Sequence, residues 1–173
     1  MAIMAKTNAF EDYPCWIVII SNLVSIATYL AGALIVYQLG IVWLVLYLIY
    51  ILALEVKLLK KSCVNCYYYG KCCAFGKGKI SSLFFKKGNP NRFIKRKIAW
   101  KDMIPDFMVS LIPFIVGIIL LIVNFNLLIL VSIILLIILA SAGNGFVRGS
   151  LACRFCRQRE IGCPAEKLFR KKG

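Results

Sequence analysis

Histidine is absent from all 173 residues of the chain. That absence removes imidazole general bases, Ser-His-Asp and Cys-His pairs, HExxH zinc sites and haem-ligating histidine pairs together. Acidic side chains are scarce as well: 7 Asp and Glu stand against 22 Lys and Arg, a formal charge of +15. Charged residues make up 17% of the chain and hydrophobic ones 61%, with a mean hydropathy of +0.83. Soluble domains hold about 25% charged and about 45–50% apolar residues, so a water-soluble globular enzyme is excluded. Disorder is excluded too, because it requires low hydrophobicity. The excess of positive charge suits a partner rich in negative charge, either phospholipid headgroups or nucleic acid.

Long stretches lack charge altogether. Cys15 to Tyr37 has none in 23 residues, enough helix for roughly 35 Å at about 1.5 Å per residue. Gly40 to Leu54 is also uncharged and extends to Leu59 if Glu55 and Lys57 snorkel to the headgroups. Phe107 to Val123 and Leu127 to Ala142 complete the set. Both are short for a lipid core of about 30 Å, so flanking residues are expected to finish them. Uncharged turns, Gln38-Leu39-Gly40 and Asn124-Phe125-Asn126, separate the spans within each pair.

The expected fold is therefore an all-α integral membrane protein. Its four transmembrane helices form two tandem helical hairpins, each followed by a small cysteine-rich module. The boundaries read as residues 1–58 for the N-terminal segment and first hairpin and 59–105 for a cysteine module with a basic interfacial segment. Residues 106–143 form the second hairpin and 144–173 the C-terminal cysteine module. Every Lys and Arg lies in Lys6, Lys57–Lys101 or Arg148–Lys172. With four crossings these share one side, and the positive-inside rule assigns that side and both termini to the cytosol. Glu11, Asp12 and Pro14, rather than a basic n-region, precede the first span, so it reads as a retained helix and not a cleaved signal.

Seven of the eight cysteines fall in two clusters on that side. The first holds Cys63, Cys66, Cys72 and Cys73; the second holds Cys153, Cys156 and Cys163. Read as Cys63-x2-Cys66-x5-Cys72 and Cys153-x2-Cys156-x6-Cys163, they suggest an internal repeat of hairpin plus module, its pseudo-twofold axis along the membrane normal. Thiols in a reducing cytosol rarely persist as disulfides, and paired CxxC groups there ligate metal or do redox work. Each CxxC presents two thiolates to one tetrahedral ion, and two such pairs complete a four-cysteine zinc site. Lys60, Lys61, Lys71, Arg154, Arg157 and Arg159 are expected to lower the thiol pKa values and offset thiolate charge. Cys15, at the start of the first span, reads as an ordinary buried thiol.

The second module, Cys-x2-Cys-Arg-x-Arg-x3-Cys-Pro, resembles one half of the binuclear zinc cluster of fungal transcription factors. The likeness covers some eleven residues per half and is one of coordination pattern, so no DNA-binding role is carried over. It implies that Cys63, Cys66, Cys72, Cys153, Cys156 and Cys163 hold two metals between them. A single four-cysteine zinc is the other arrangement. An iron–sulfur cluster suits the same thiolates, with Cys73 as an extra ligand. A metal-free redox dithiol, with Cys72-Cys73 or a CxxC as the working pair, remains open at this point.

The connecting segment interleaves apolar residues (Phe84, Phe85, Phe93, Ile94, Ile98, Trp100, Met103) with basic ones (Lys86, Lys87, Arg92, Lys95, Arg96, Lys97, Lys101). Residues 92–104 read as an amphipathic helix in the headgroup layer, and residues 77–101 as the contact with anionic lipid. A phosphorylated lipid or nucleotide is a second candidate; nucleic acid is the weakest. The Tyr67-Tyr68-Tyr69 run and Trp100 fit an interfacial aromatic belt.

Within the spans the polar residues are Ser21, Asn22, Ser25, Thr28, Ser110 and Ser132, with no charge at midplane depth. A pump or proton-coupled carrier needs such charges. Ser21, Ser25, Ala31, Gly32 and Ala33 favour close helix packing. Pro113 is a kink site, and Gly143, Gly145 and Gly149 loosen the exit from the fourth span.

The function read from these features is a non-enzymatic membrane protein. Its cytosolic all-cysteine metal site, zinc first and iron–sulfur second, clamps the hairpins and builds a basic docking surface for a protein partner. An electron-transfer or thiol-redox membrane subunit is the alternative. A lipid-headgroup enzyme would draw on Glu55, Asp102, Asp106, Glu160 and Glu166, but no carboxylate pair or phosphate-cradling glycine loop is present. Protein acyltransferases, which also carry cysteine-rich modules on four spans, need an Asp-His-His-Cys motif that a histidine-free chain cannot supply.

Overall fold

A computed structural model describes residues 9–95 and 100–164. It is helical, with no strand among the described residues. Four helices are long and apolar enough to cross a membrane. Helix α1 (Cys15–Tyr37) starts directly after Pro14, and α2 (Ile41–Lys61) ends on Lys60 and Lys61, cations that its C-terminal dipole favours. Between them Gln38, Leu39 and Gly40 donate their N–H groups to the carbonyls of Ile35, Val36 and Tyr37, tightening the last turn. Gly40 reverses the chain with a φ of +116°, in the left-handed region where glycine is favoured.

After α2 come a short 3-10 turn (Cys63–Asn65), α3 (Lys77–Phe84) and α4 (Pro90–Lys95). Helix α5 (Trp100–Val123) then leads to α6 (Leu127–Ile138), whose N-cap Asn126 accepts the Leu128 N–H at 2.9 Å.

Two helix limits differ from the sequence expectation. The third span begins at Trp100 rather than Phe107, because Pro105 is taken inside the helix and Asp102 suits its positive N-terminus. The fourth does not loosen at its glycines. It continues as π-helical Leu139–Gly143, α7 (Asn144–Phe146) and π-helical Val147–Ala152, so the apolar helix runs from Leu127 to Ala152. Wider π turns carry the weak helix formers there. Of the amphipathic helix expected over residues 92–104, residues 92–95 lie in α4 and residues 100–104 in α5, and Arg96 to Ala99 lie outside the described residues.

The long helices turn bulky apolar side chains outward. On α1, Ile19, Leu23, Ile26, Leu30 and Leu34 recur every three or four residues and are exposed, whereas Ala31 and Ile35 are buried. Water would not tolerate that face, and lipid does. Four helices of this length and surface are compatible with a membrane protein.

The chain divides into two compact units, one formed by residues 22–57 and 99–145, the other by residues 1–21, 58–98 and 146–173. In the former, Ala31 and Ile35 pack with Ile129, Ile133 and Leu136, while Val36, Tyr47, Ile51 and Val109 form a second cluster. Two of its buried hydroxyls bond to backbone: Thr28 donates to the Val24 carbonyl and Ser132 to that of Leu128, each at 2.8 Å. Tyr29 donates to a Glu55 carboxylate oxygen at 2.8 Å, so Glu55 is held by α1 rather than simply reaching for the headgroups. Pro113 has no N–H for the Val109 carbonyl one turn back, and the Tyr47 hydroxyl from α2 donates to that carbonyl at 2.8 Å. Gly32 leaves room for this pairing: a Cβ there would collide with the Tyr47 hydroxyl and stand 3.2 Å from Pro113.

Candidate cysteine site

The second unit gathers three separate stretches around one buried cluster: Tyr13, Ile17, Tyr68, Ala74 and Ala152. Tyr68 is 2% exposed. Its hydroxyl donates to the Phe10 carbonyl at 2.6 Å and accepts the Arg157 N–H at 2.9 Å. The Tyr13 hydroxyl donates to the Ala152 carbonyl. Gln158, 4% exposed, accepts the Tyr67 N–H at 2.7 Å and donates to the Gly162 carbonyl at 3.2 Å. Phe10 pairs its backbone with Cys156 and Phe155, and its ring lies 5.0 Å from that of Phe155. Within the tyrosine run Tyr68 is thus core rather than part of an interfacial belt, and Tyr69 donates to the Phe85 carbonyl at 2.7 Å.

Into this core fold both cysteine stretches. None of the eight cysteines is in a disulfide; Cys63, Cys66, Cys72, Cys73, Cys156 and Cys163 are half-buried, Cys153 is exposed, and Cys15 is exposed rather than buried. Cys66, Cys73 and Cys156 pack against the buried cluster. Cys163 follows α8 (Arg157–Gly162).

The two CxxC turns share one backbone pattern. Cys66 N–H donates to the Cys63 carbonyl at 3.2 Å and Cys156 N–H to that of Cys153 at 3.4 Å. Tyr69 N–H then donates to the Cys66 carbonyl at 3.1 Å and Arg159 N–H to that of Cys156 at 3.0 Å. The Cys66 thiol also faces the backbone N–H groups of Tyr68 and Tyr67, and the Cys156 thiol those of Gln158 and Arg159, contacts that favour thiolate. Cys73 accepts the Gly78 N–H on its sulfur at 3.4 Å, beside the first turn of α3.

Burial outweighs these donors. It pushes the Cys66 thiol up, the Cys73 and Cys163 thiols adding to the rise, and it pushes Cys156 up to about 11, with Cys66 and Cys153 contributing. Cys72 rises for the same first reason. The lowering expected from basic neighbours does not offset burial at these three thiols: Lys79 works in that direction at Cys72 without prevailing, and three of the expected cations have other partners. Lys71 donates to the Tyr67 hydroxyl and lies over that ring, Arg154 lies over Phe155, and Arg157 pairs with Glu160 at 3.7 Å.

The donor chemistry fits a thiophilic ion: soft sulfurs from two stretches, in turns that offer N–H groups to thiolate. Among the described residues, however, no three Cys, Asp or Glu side chains stand together in a group that could hold a metal. Sequence reading found the cysteines but missed Tyr13, Tyr68, Gln158 and Gly78, which position them. Nothing in an apolar tyrosine run marks its middle residue as core.

No protein family's sequence pattern matches the chain, and neither a curated protein nor a solved structure is similar to it.

Proposed function

We propose that this membrane protein presents its cysteine-bearing unit to the cytosol and binds zinc there through both CxxC turns. The ion joins the stretch that follows the second span to the stretch that follows the fourth and stiffens a basic docking surface. The observation that carries this reading is the matched pair of turns, Cys63–Tyr69 and Cys153–Arg159, folded into one unit with backbone donors beside the Cys66 and Cys156 sulfurs. Zinc would supply the positive charge that lets buried thiols release their protons. Without it, raised thiol pKa values are the opposite of what a working redox dithiol needs. Orientation follows the absence of Lys and Arg from both interhelical turns.

Elemental analysis of the purified full-length protein tests this. We expect about one or two zinc ions per chain, with Cys63→Ser and Cys153→Ser each lowering the content. A folded, metal-free wild type would overturn the reading. Iron with visible absorbance bleached by dithionite would replace it with electron transfer.

The basic surface has a definite lipid-facing element in this proposal. Helix α3 buries Gly78 and Ser81 and turns Ile80, Leu83 (78% exposed) and Phe84 (73% exposed) outward. Six Lys and Arg and no acid occur between Lys77 and Lys95, and Lys79, Lys86 and Lys87 are exposed. An apolar face ringed by cations suits anionic phospholipid. With Trp16, Trp43 and Trp100 replaced by Phe, the fluorescence of Phe84→Trp should be quenched by brominated phosphatidylglycerol in a reconstituted bilayer. Unquenched emission would exclude lipid as the occupant of this face.

A further inference from the structure

The first cluster offers two adjacent candidates for its third thiol, Cys72 and Cys73, and the structure treats them differently. Cys73 packs against the Tyr68 cluster together with Cys66 and Cys156, and its sulfur is met by the Gly78 N–H at 3.4 Å. Cys72 is tied to the N-terminal segment instead: its N–H donates to an Asp12 carboxylate oxygen at 2.8 Å, and its carbonyl accepts the Tyr13 N–H at 2.9 Å.

The spacing agrees with the packing. Counted to Cys73, the first stretch is Cys63-x2-Cys66-x6-Cys73, the same spacing as Cys153-x2-Cys156-x6-Cys163. Each cysteine of the second motif then lies 90 positions after its counterpart in the first. The shared backbone bonds of the two CxxC turns obey the same offset, from Cys66–Cys63 to Cys156–Cys153 and from Tyr69–Cys66 to Arg159–Cys156.

We infer that Cys73, not Cys72, is the third metal-binding thiol of the first motif, so that the site is built from two copies of Cys-x2-Cys-x6-Cys. This assignment rests on the zinc reading above and deepens it. Cys72 is a positioning residue that fixes the N-terminal segment through its backbone, and its thiol is dispensable for the metal.

The test uses the full-length protein loaded with zinc or with cobalt, whose thiolate charge-transfer absorbance reports bound sulfur. Cys72→Ser should keep wild-type zinc content and an unaltered cobalt spectrum. Cys73→Ser should lose zinc. Because that variant could also fail to fold, Cys73→His is the companion: it should retain cobalt with weaker sulfur absorbance, which a purely structural cysteine would not produce. Loss of zinc in Cys72→Ser, or an unchanged cobalt spectrum in Cys73→His, overturns the assignment while leaving the zinc reading intact. A folded wild type that binds neither metal overturns both.

Discussion

Gly78→Ala should open the cysteine-bearing unit while the four long helices persist. A Cβ at this position would collide with the Tyr68 carbonyl oxygen and stand 2.6 Å from that of Lys71. Both obstacles are backbone, so no side-chain rotation relieves them. The glycine is also pinned: its carbonyl accepts the Gly70 N–H at 3.1 Å while its own N–H meets the Cys73 sulfur. Overpacking of this kind costs about 1–3 kcal/mol, occasionally more, and backbone on two sides places Gly78→Ala near the top of that range. About 3 kcal/mol is roughly a hundredfold in the opening equilibrium. The rate at which a thiol reagent labels Cys66 and Cys156 should rise accordingly, with little change in total helix by circular dichroism. Labelling at the wild-type rate would show that the approach of α3 to the Tyr68–Lys71 turn carries no weight.

Tyr68→Phe should cost about as much by a different route. Removing one oxygen leaves the Phe10 carbonyl without its 2.6 Å donor and the Arg157 N–H without its 2.9 Å acceptor. An unsatisfied buried polar group costs about 1–3 kcal/mol, and two are created together. The expected result is a lower unfolding midpoint and faster amide exchange at Arg157. The dependence on pH identifies the hydroxyl. Burial pushes the Tyr68 pKa up to about 12 from its ordinary value of 10.0. The folded state therefore favours the protonated phenol. Its contribution is full below about pH 10 and is lost as pH rises through the folded value. The gap in stability between wild type and Tyr68→Phe should narrow across that alkaline window; a constant gap would mean that packing, not the hydroxyl, carries the effect.

The four spans were legible in the sequence because lipid leaves little choice: an uncharged run long enough to cross must be helical. Cys15–Tyr37 emerges with the limits that its charge gap predicts. The readings fail where a local rule met a tertiary partner. Proline at 105 and glycines at 143, 145 and 149 read as ends, yet the helix runs through them, in the latter case by adopting π turns. The cysteines announced a site by type and spacing. Their surroundings did not show, because the residues that assemble them come from Phe10 to Tyr13, Tyr67 to Gly78 and Ala152 to Gln158, stretches joined only by folding. Local charge was a poor guide to the thiols for the same reason: burial by distant stretches outweighs it, and Lys71, Arg154 and Arg157 meet Tyr67, Phe155 and Glu160.

A proline in a transmembrane helix is commonly read as a hinge, and the Tyr47 contact gives Pro113 another role. The carbonyl that the proline strips of its donor is a socket fitted to a single hydroxyl on the adjacent helix. Sliding α5 by one turn against α2, or rotating either, would strand both polar groups in hydrocarbon, where no water waits to replace the partner. The missing amide thus works as an indexing notch that fixes how far one rod is inserted beside the other.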